Sequence, residues 1–310
     1  MSTTNTQNLP DRWIRALGGL EARPPRKAYR YGVNELLDSV RIRQLRMRHH
    51  EQIHEDVSDR TWMLIGNGVH AALEYSADPN ALTEEKLTIE REIAGRVCTI
   101  AGVPDYYDED GHVADYKTSK AYYLVYDPEG KIEHQWQTHL YRLMLEEHGF
   151  PVKSQSIDVV LRDHDEWKGR TEEGYPRTAI QIIPVERLEK AQIEAYVTER
   201  LRLHVAAETA EDADLPECSF HERWEKEPKF AVTKTGNKKA SRVLDSQEDA
   251  EKWAADDNAK RLEKGGKAVS YTITLREGER TRCERFCPVA EFCTQHQRYV
   301  AEKAAANEEK

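Results

Sequence analysis

GVPDYYDEDGHVADYKTSK, residues 102–120, brings Asp105, a turn, Asp115 and Lys117 into one short stretch. Asp110-Gly111 is a strong hairpin turn signal, and the flanking residues alternate as strands do. Asp115 and Lys117 stand two apart on a strand, so their side chains share a face, and the turn folds Asp105 back beside them. Two carboxylates this close repel each other. Either the hairpin is a solvated surface feature, or a bound cation makes the arrangement favourable. A lone D-x-K pair decides little, because chance supplies one about once in a few hundred residues at average charged-residue usage.

The surroundings shift the balance. Helical periodicity predicts helices at 32–58, 61–75, 132–148, 186–209 and 247–263, with strands around the hairpin and at SIDVVLRD and RTAIQIIPV. In the second helix His70 and Glu74 lie four apart and share a face. On so apolar a helix a single histidine is more often a core residue than a ligand. Gln137 and Tyr141 stand in the same relation on the helix that follows the lysine strand.

Taken in order, Gly66-x3-His70, Gly102-x-Pro104-Asp105, Asp115-x-Lys117 and Gln137-x3-Tyr141 resemble the RecB-like branch of the PD-(D/E)XK nuclease superfamily. That resemblance implies an α/β (α+β) restriction-endonuclease-like core, a mixed central sheet flanked by helices, and metal-dependent cleavage of DNA. It implies Mg²⁺ or Mn²⁺ held by His70, Asp105, Asp115 and the backbone carbonyl of Tyr116. Carboxylate oxygens suit both ions, and the imidazole tilts the set toward Mn²⁺. Lys117 would activate the nucleophile and offset charge developing at phosphorus, with Gln137 and Tyr141 as further catalytic residues. The chain departs from the commoner pattern in carrying Asp115 where glutamate is more frequent. Glu74 is expected only in an outer or surface role.

Bulk composition neither demands nor forbids this. The 310 residues carry a net charge of −10, with 33% charged and 38% hydrophobic. Such a balance disfavours indiscriminate adhesion to nucleic acid but permits a local basic stripe. Two stripes qualify, at 23–48 (Arg23, Arg26, Arg41, Arg43 and Arg46 among them) and at 223–242 (with Lys234, Lys238 and Lys239). Solvated helix and hairpin faces explain either stripe equally well. Arg41, Arg43, Arg46, Lys234, Lys238 and Lys239 are the DNA-contact candidates. No secretion signal stands out and no apolar run approaches the roughly 18 residues of a membrane span, so a soluble cytoplasmic protein without membrane contact is expected.

Five cysteines remain, of which Cys98, on the strand entering the hairpin, reads as core. Cys283, Cys287 and Cys293 lie close together and Cys218 far upstream, an uneven thiolate-only set that fits an iron–sulfur cluster better than structural Zn²⁺. His221 and His296 would be substitute ligands for zinc. The relatives that carry a 4Fe–4S cluster, AddB-type subunits, phage exonucleases and CRISPR adaptation nucleases, strengthen the first choice. Between Cys218 and Cys283 the pattern predicts a basic ββαβ insert at about 222–280. The expected layout is a flexible basic arm (1–31), the nuclease core (32–215), a cysteine-cluster region (216–300) and a disordered tail (301–310). No ATP-binding P-loop occurs, so helicase activity would have to come from a partner, as would any further recombination function. The function expected is that of a DNA exonuclease. The rivals are a non-catalytic nucleic-acid-binding subunit that keeps the fold and a structural zinc protein.

Overall fold

Ala94 and Gly95 both adopt positive φ, 49° and 72°, the geometry of a tight two-residue hairpin turn. They join the antiparallel strands Leu87–Ile93 and Arg96–Gly102, and Arg30–Gly32 adds to the second strand in parallel. The computed structural model describes residues 1–21, 24 and 27–308, and Arg23 and Arg26 of the first basic stripe lie outside the described residues.

The hairpin of the opening stretch forms where its turn signal places it. Tyr106–Tyr107 pairs antiparallel with His112–Ser119. Gly111 takes φ 83°, and the Asp108 carboxylate accepts the His112 N–H at 2.8 Å. His112–Ser119 then runs parallel to Ser154–Leu161, which pairs antiparallel with Ile180–Pro184, so the four-stranded sheet is mixed. Parallel neighbours need a long crossover, supplied here by the helix Ile132–Glu147. Residues 137–145 of that helix are buried without a break, as expected of a helix covered on all sides. Its Leu140, Leu143 and Met144 share one core with Ile89, Ile100, Tyr107 and Val113, and with Ile193, Val197 and Leu201 of the helix Lys190–Ala207. Truncating one such leucine to alanine costs roughly 2–5 kcal/mol.

The single helix expected over 32–58 is broken. Val33–Leu37 ends at Asp38, whose ψ of 172° is extended. Ser39 starts a new helix, Val40–Arg48, with its hydroxyl accepting from Ile42 N, so a capping serine outweighs the apolar periodicity. Part of the expected flexible arm is also regular. Ser2–Thr4 pairs in parallel with His54–Asp56, and Asp11–Ala16 is a helix. The expected disordered tail is helical through the stretch Thr294–Glu308.

A second unit comprises residues 217–291 and 295–310. Its strands Lys229–Lys234, Arg242–Leu244 and Tyr271–Arg276 form an antiparallel sheet with the first in the middle. The helix Gln247–Glu263 lies between the second and third strands in sequence, which completes the ββαβ insert. Ala231, Val232 and Ala250 are buried, and Trp253 meets Tyr271 edge to face at 5.6 Å. Aromatic side chains here therefore build the small core. Among the described residues no helix is long and apolar enough to cross a membrane.

Candidate active site

Gly102 fixes where the site can open. A Cβ at this position would lie 2.9 Å from Met144 Sδ and from Val33 Cγ2, and 3.0 Å from Tyr141 Cε1. Only glycine lets the strand end press against the crossover helix so closely. Immediately beyond, the chain turns through Pro104 to Asp105, while residues 82–84 pair back onto it. Leu82 and Tyr107 exchange backbone hydrogen bonds at 2.8 and 2.9 Å, and Glu84 N–H donates to Pro104 O at 3.2 Å. Glu84 adopts φ 50°, a left-handed conformation that costs a non-glycine residue roughly 1 kcal/mol or more. The outcome is a glutamate held beside Asp105.

Around that point the polar groups converge. Asp105 is 7% exposed. One of its oxygens accepts the Tyr116 N–H at 2.6 Å, and the other lies 3.4 Å from His70 Nδ1. His70 Nδ1 is also 3.4 Å from Glu84 Oε1, and its Nε2 donates to Tyr116 O at 3.1 Å. Each of His70, Glu84 and Asp105 places a ligand-type atom within 4.8 Å of the others. The Asp105 carboxylate, as hydrogen-bond acceptor, raises the His70 imidazole to about 9, so in the absence of a cation it is protonated at neutral pH.

Asp115 lies behind this group with 0% of its side chain exposed, and Lys117 Nζ approaches its Oδ2 to 2.5 Å. Besides that ammonium, no described group hydrogen-bonds to the carboxylate. Burial pushes the Asp115 carboxyl up, against the opposing pull of Lys117. Lys117 Nζ lies 3.4 Å from Tyr116 O as well. Across the cavity Gln137 Nε2 donates to Tyr141 OH at 2.8 Å. Burial holds the Tyr141 phenol above its ordinary value, so it stays a neutral hydroxyl. His70, Glu84, Asp105, Lys117, Gln137 and Tyr141 line one cavity of about 400 Å³.

A pocket that gathers two carboxylates, an imidazole and a lysine around one point, with a third carboxylate buried behind, has the donor set of a divalent-cation site. The family model for the PD-(D/E)XK nuclease superfamily matches residues 16–294. The chain belongs to this superfamily. No curated protein matches it. Among solved structures, the crystal structure of SSO0001 is similar at 19% identity with a TM-score of 0.42, over 58% of this chain and 79% of that one. So distant a likeness says nothing further about function.

Within this PD-(D/E)XK chain, Asp105, Lys117, His70, Gln137 and Tyr141 meet at one cavity, with Asp115 and the Tyr116 carbonyl at its back. Glu74 is exposed and outside the group. Two neighbours escaped the sequence reading. Glu84 was hidden because the loop that carries it matches no motif, and only the pairing of residues 82–84 onto 104–107 brings it in. His134 lies one turn ahead of Gln137 on the same row of the helix. Burial, and next the positive Lys117, depress its imidazole to about 3, which keeps it neutral.

Two DNA-contact candidates are corrected. Arg41 is 1% exposed. Its guanidinium donates to Pro216 O at 3.1 Å, to Thr294 Oγ1 at 3.0 Å and to Leu215 O. Arg43 is likewise buried, 2.9 Å from Glu208 and stacked over Tyr31 at 4.4 Å. Buried guanidiniums with all their work inside the fold do not meet phosphates. Arg46 is half-buried, as is Lys234, whereas Lys238 and Lys239 are exposed. Cys98, Cys218 and Cys293 are buried, and Cys283 and Cys287 half-buried.

Proposed function

We propose that this protein is a metal-dependent DNA exonuclease that hydrolyses phosphodiester bonds at DNA ends or in single strands, in recombination, repair or phage DNA processing. The observation that supports this best is Asp115, a carboxylate removed from solvent and paired with the Lys117 ammonium, beside the His70, Glu84 and Asp105 group. Such burial is costly, and it is offset where a cation sits in front of it. The donor set fits: Asp105, Glu84 and His70 would hold the ion, with Asp115 and the Tyr116 carbonyl behind. A Mg²⁺ or Mn²⁺ ion there supplies Lewis-acid polarisation of the phosphoryl group and a more acidic water.

The remaining roles fall to the chain itself. Lys117 Nζ faces the cavity with Asp115 at its back, so it orients the attacking water and offsets charge gathering on phosphorus. Gln137 donates to the Tyr141 oxygen, which leaves the phenol proton available to a phosphate oxygen. His134, held neutral, adds no charge near Lys117 that would compete for an anion. On their spacing in the sequence, Cys218, Cys283, Cys287 and Cys293 are proposed to ligate a 4Fe–4S cluster, to be checked by iron and acid-labile sulfide content.

The deciding experiment is digestion of end-labelled single- and double-stranded DNA in Mn²⁺, Mg²⁺ or EDTA by wild type and Lys117→Ala, with circular dichroism confirming that both are folded. Metal-dependent release from ends by wild type alone establishes the activity. Folded, metal-loaded wild type that cuts nothing leaves a nucleic-acid-binding protein.

A further inference from the structure

The helix Thr61–Tyr75 is poorly covered for its length. None of its residues is buried, although the sequence TWMLIGNGVHAALEY is mostly apolar. Trp62, Gly66 and His70 recur every four residues and so form one row along it. His70 belongs to the catalytic cavity. At the other end of the row Trp62 is 60% exposed, and the Arg162 guanidinium lies 4.4 Å over its ring. Arg162 is exposed and follows directly on the strand Ser154–Leu161. Its N–H donates to Ser119 O at 3.0 Å, so it is anchored at the end of the strand that carries Asp115 and Lys117.

Between the two ends the row is bare. An alanine Cβ at Gly66 would lie 3.9 Å from Thr118 Oγ1, an ordinary contact, so packing does not require glycine there. Mid-helix glycine is nonetheless unfavourable relative to alanine. Its effect is to leave the row without a side chain midway between His70 and Trp62, which stand about 12 Å apart for eight residues at about 1.5 Å each. An exposed tryptophan with a guanidinium stacked on it is the kind of platform on which nucleic-acid bases stack whatever their sequence, with arginine adding cation–π and phosphate attraction.

We propose that Trp62 and Arg162 form a base-stacking site for a single DNA strand, holding a nucleotide a few positions from the bond that is cut while the sugar–phosphate backbone passes over Gly66. This rests on reading the cavity as a nuclease site, and it assigns the strand a path. Trp62 stacks on the base, and Arg162 closes over the pair or meets the adjoining phosphate.

The test measures anisotropy of fluorescein-labelled oligothymidylates in Ca²⁺, intact or with one abasic site at successive positions, for wild type, Trp62→Ala, Trp62→Phe and Arg162→Ala. Stacking of this kind predicts about a tenfold loss of affinity for wild type when the abasic site falls at one position. Trp62→Ala should lose as much on the intact strand and then be indifferent to the abasic position. Trp62→Phe should restore most of the affinity and the positional dependence, and Arg162→Ala should weaken both. In parallel Mn²⁺ digestions, Trp62→Ala should raise KM and leave kcat unchanged. Abasic profiles of wild type and Trp62→Ala that superimpose overturn the stacking site even if cleavage is strong, and so does wild type that fails to bind single strands. Wild type that binds with the expected profile but cuts nothing upholds the stacking site and removes the nuclease reading instead.

Discussion

Lys117 Nζ stands 2.5 Å from an Asp115 carboxylate that solvent does not reach. The pair is structural as much as chemical, because removing the ammonium strands a buried charge. Lys117→Ala should therefore destabilise the protein by about 3–5 kcal/mol in metal-free buffer as well as abolish cleavage. Adding Asp115→Asn to Lys117→Ala should restore most of the stability and none of the activity. Urea unfolding in EDTA of the two single variants and the double variant reads this directly. Equal instability of Lys117→Ala and the double variant would mean that the pair contributes nothing.

His70 gives a pH signature. Its imidazole is raised to about 9 in the fold by the Asp105 acceptor, above the ordinary value of about 6.5. A raised base stabilises the fold fully below the ordinary value and loses that contribution as pH climbs through the folded one. In EDTA, wild type should out-melt His70→Gln at pH 6 and the gap should close above about pH 9. A gap that widened with pH would contradict the hydrogen bond.

A cation that takes His70 as ligand must displace its proton. Mn²⁺ affinity should then rise with pH up to about 9 and level off, by calorimetry, while His70→Gln binds more weakly and with a flatter profile. Proton release on binding, read from buffers of different ionisation enthalpy, should disappear in the variant.

Gly102→Ala forces a methyl into contacts of 2.9–3.0 Å with Met144, Val33 and Tyr141. Overpacking of this sort costs about 1–3 kcal/mol. Because Tyr141 is one of the groups that must yield, activity should fall further than the stability loss explains, with kcat measured well below the melting temperature.

Arg41 serves folding rather than binding. Arg41→Ala removes charge-assisted hydrogen bonds, worth roughly 1.5–3 kcal/mol each, to the carbonyls of Leu215 and Pro216. It should lower the urea midpoint sharply and leave DNA affinity per folded molecule unchanged. A selective loss of DNA affinity with no change in stability would reinstate Arg41 as a phosphate contact.

Much of this was legible from residue order. The turn at Asp110-Gly111, the strand face shared by Asp115 and Lys117, and the Gln137/Tyr141 helix are set by local rules, and the structure brings Lys117, Gln137 and Tyr141 to one cavity. Glu84 was not legible, because its place depends on a pairing between loop segments that periodicity does not encode. Arg41 and Arg43 misled for a related reason. A row of arginines on a helix looks the same whether it faces water or a ring of carbonyls, and only the partners, more than a hundred residues away for Arg41, decide. The long helix expected over 32–58 failed where Ser39 offered the backbone a better local bond.

The helix Ile132–Glu147 supplies two walls of the cavity through Gln137 and Tyr141 while its neighbouring residues fill the space between the sheets. Its amides should thus exchange with deuterium only when the whole unit opens. The side of the cavity built by Gln137 and Tyr141 has no private flexibility to spend: heat or denaturant cannot loosen it first and the fold afterwards. Loss of that wall and unfolding should be a single event.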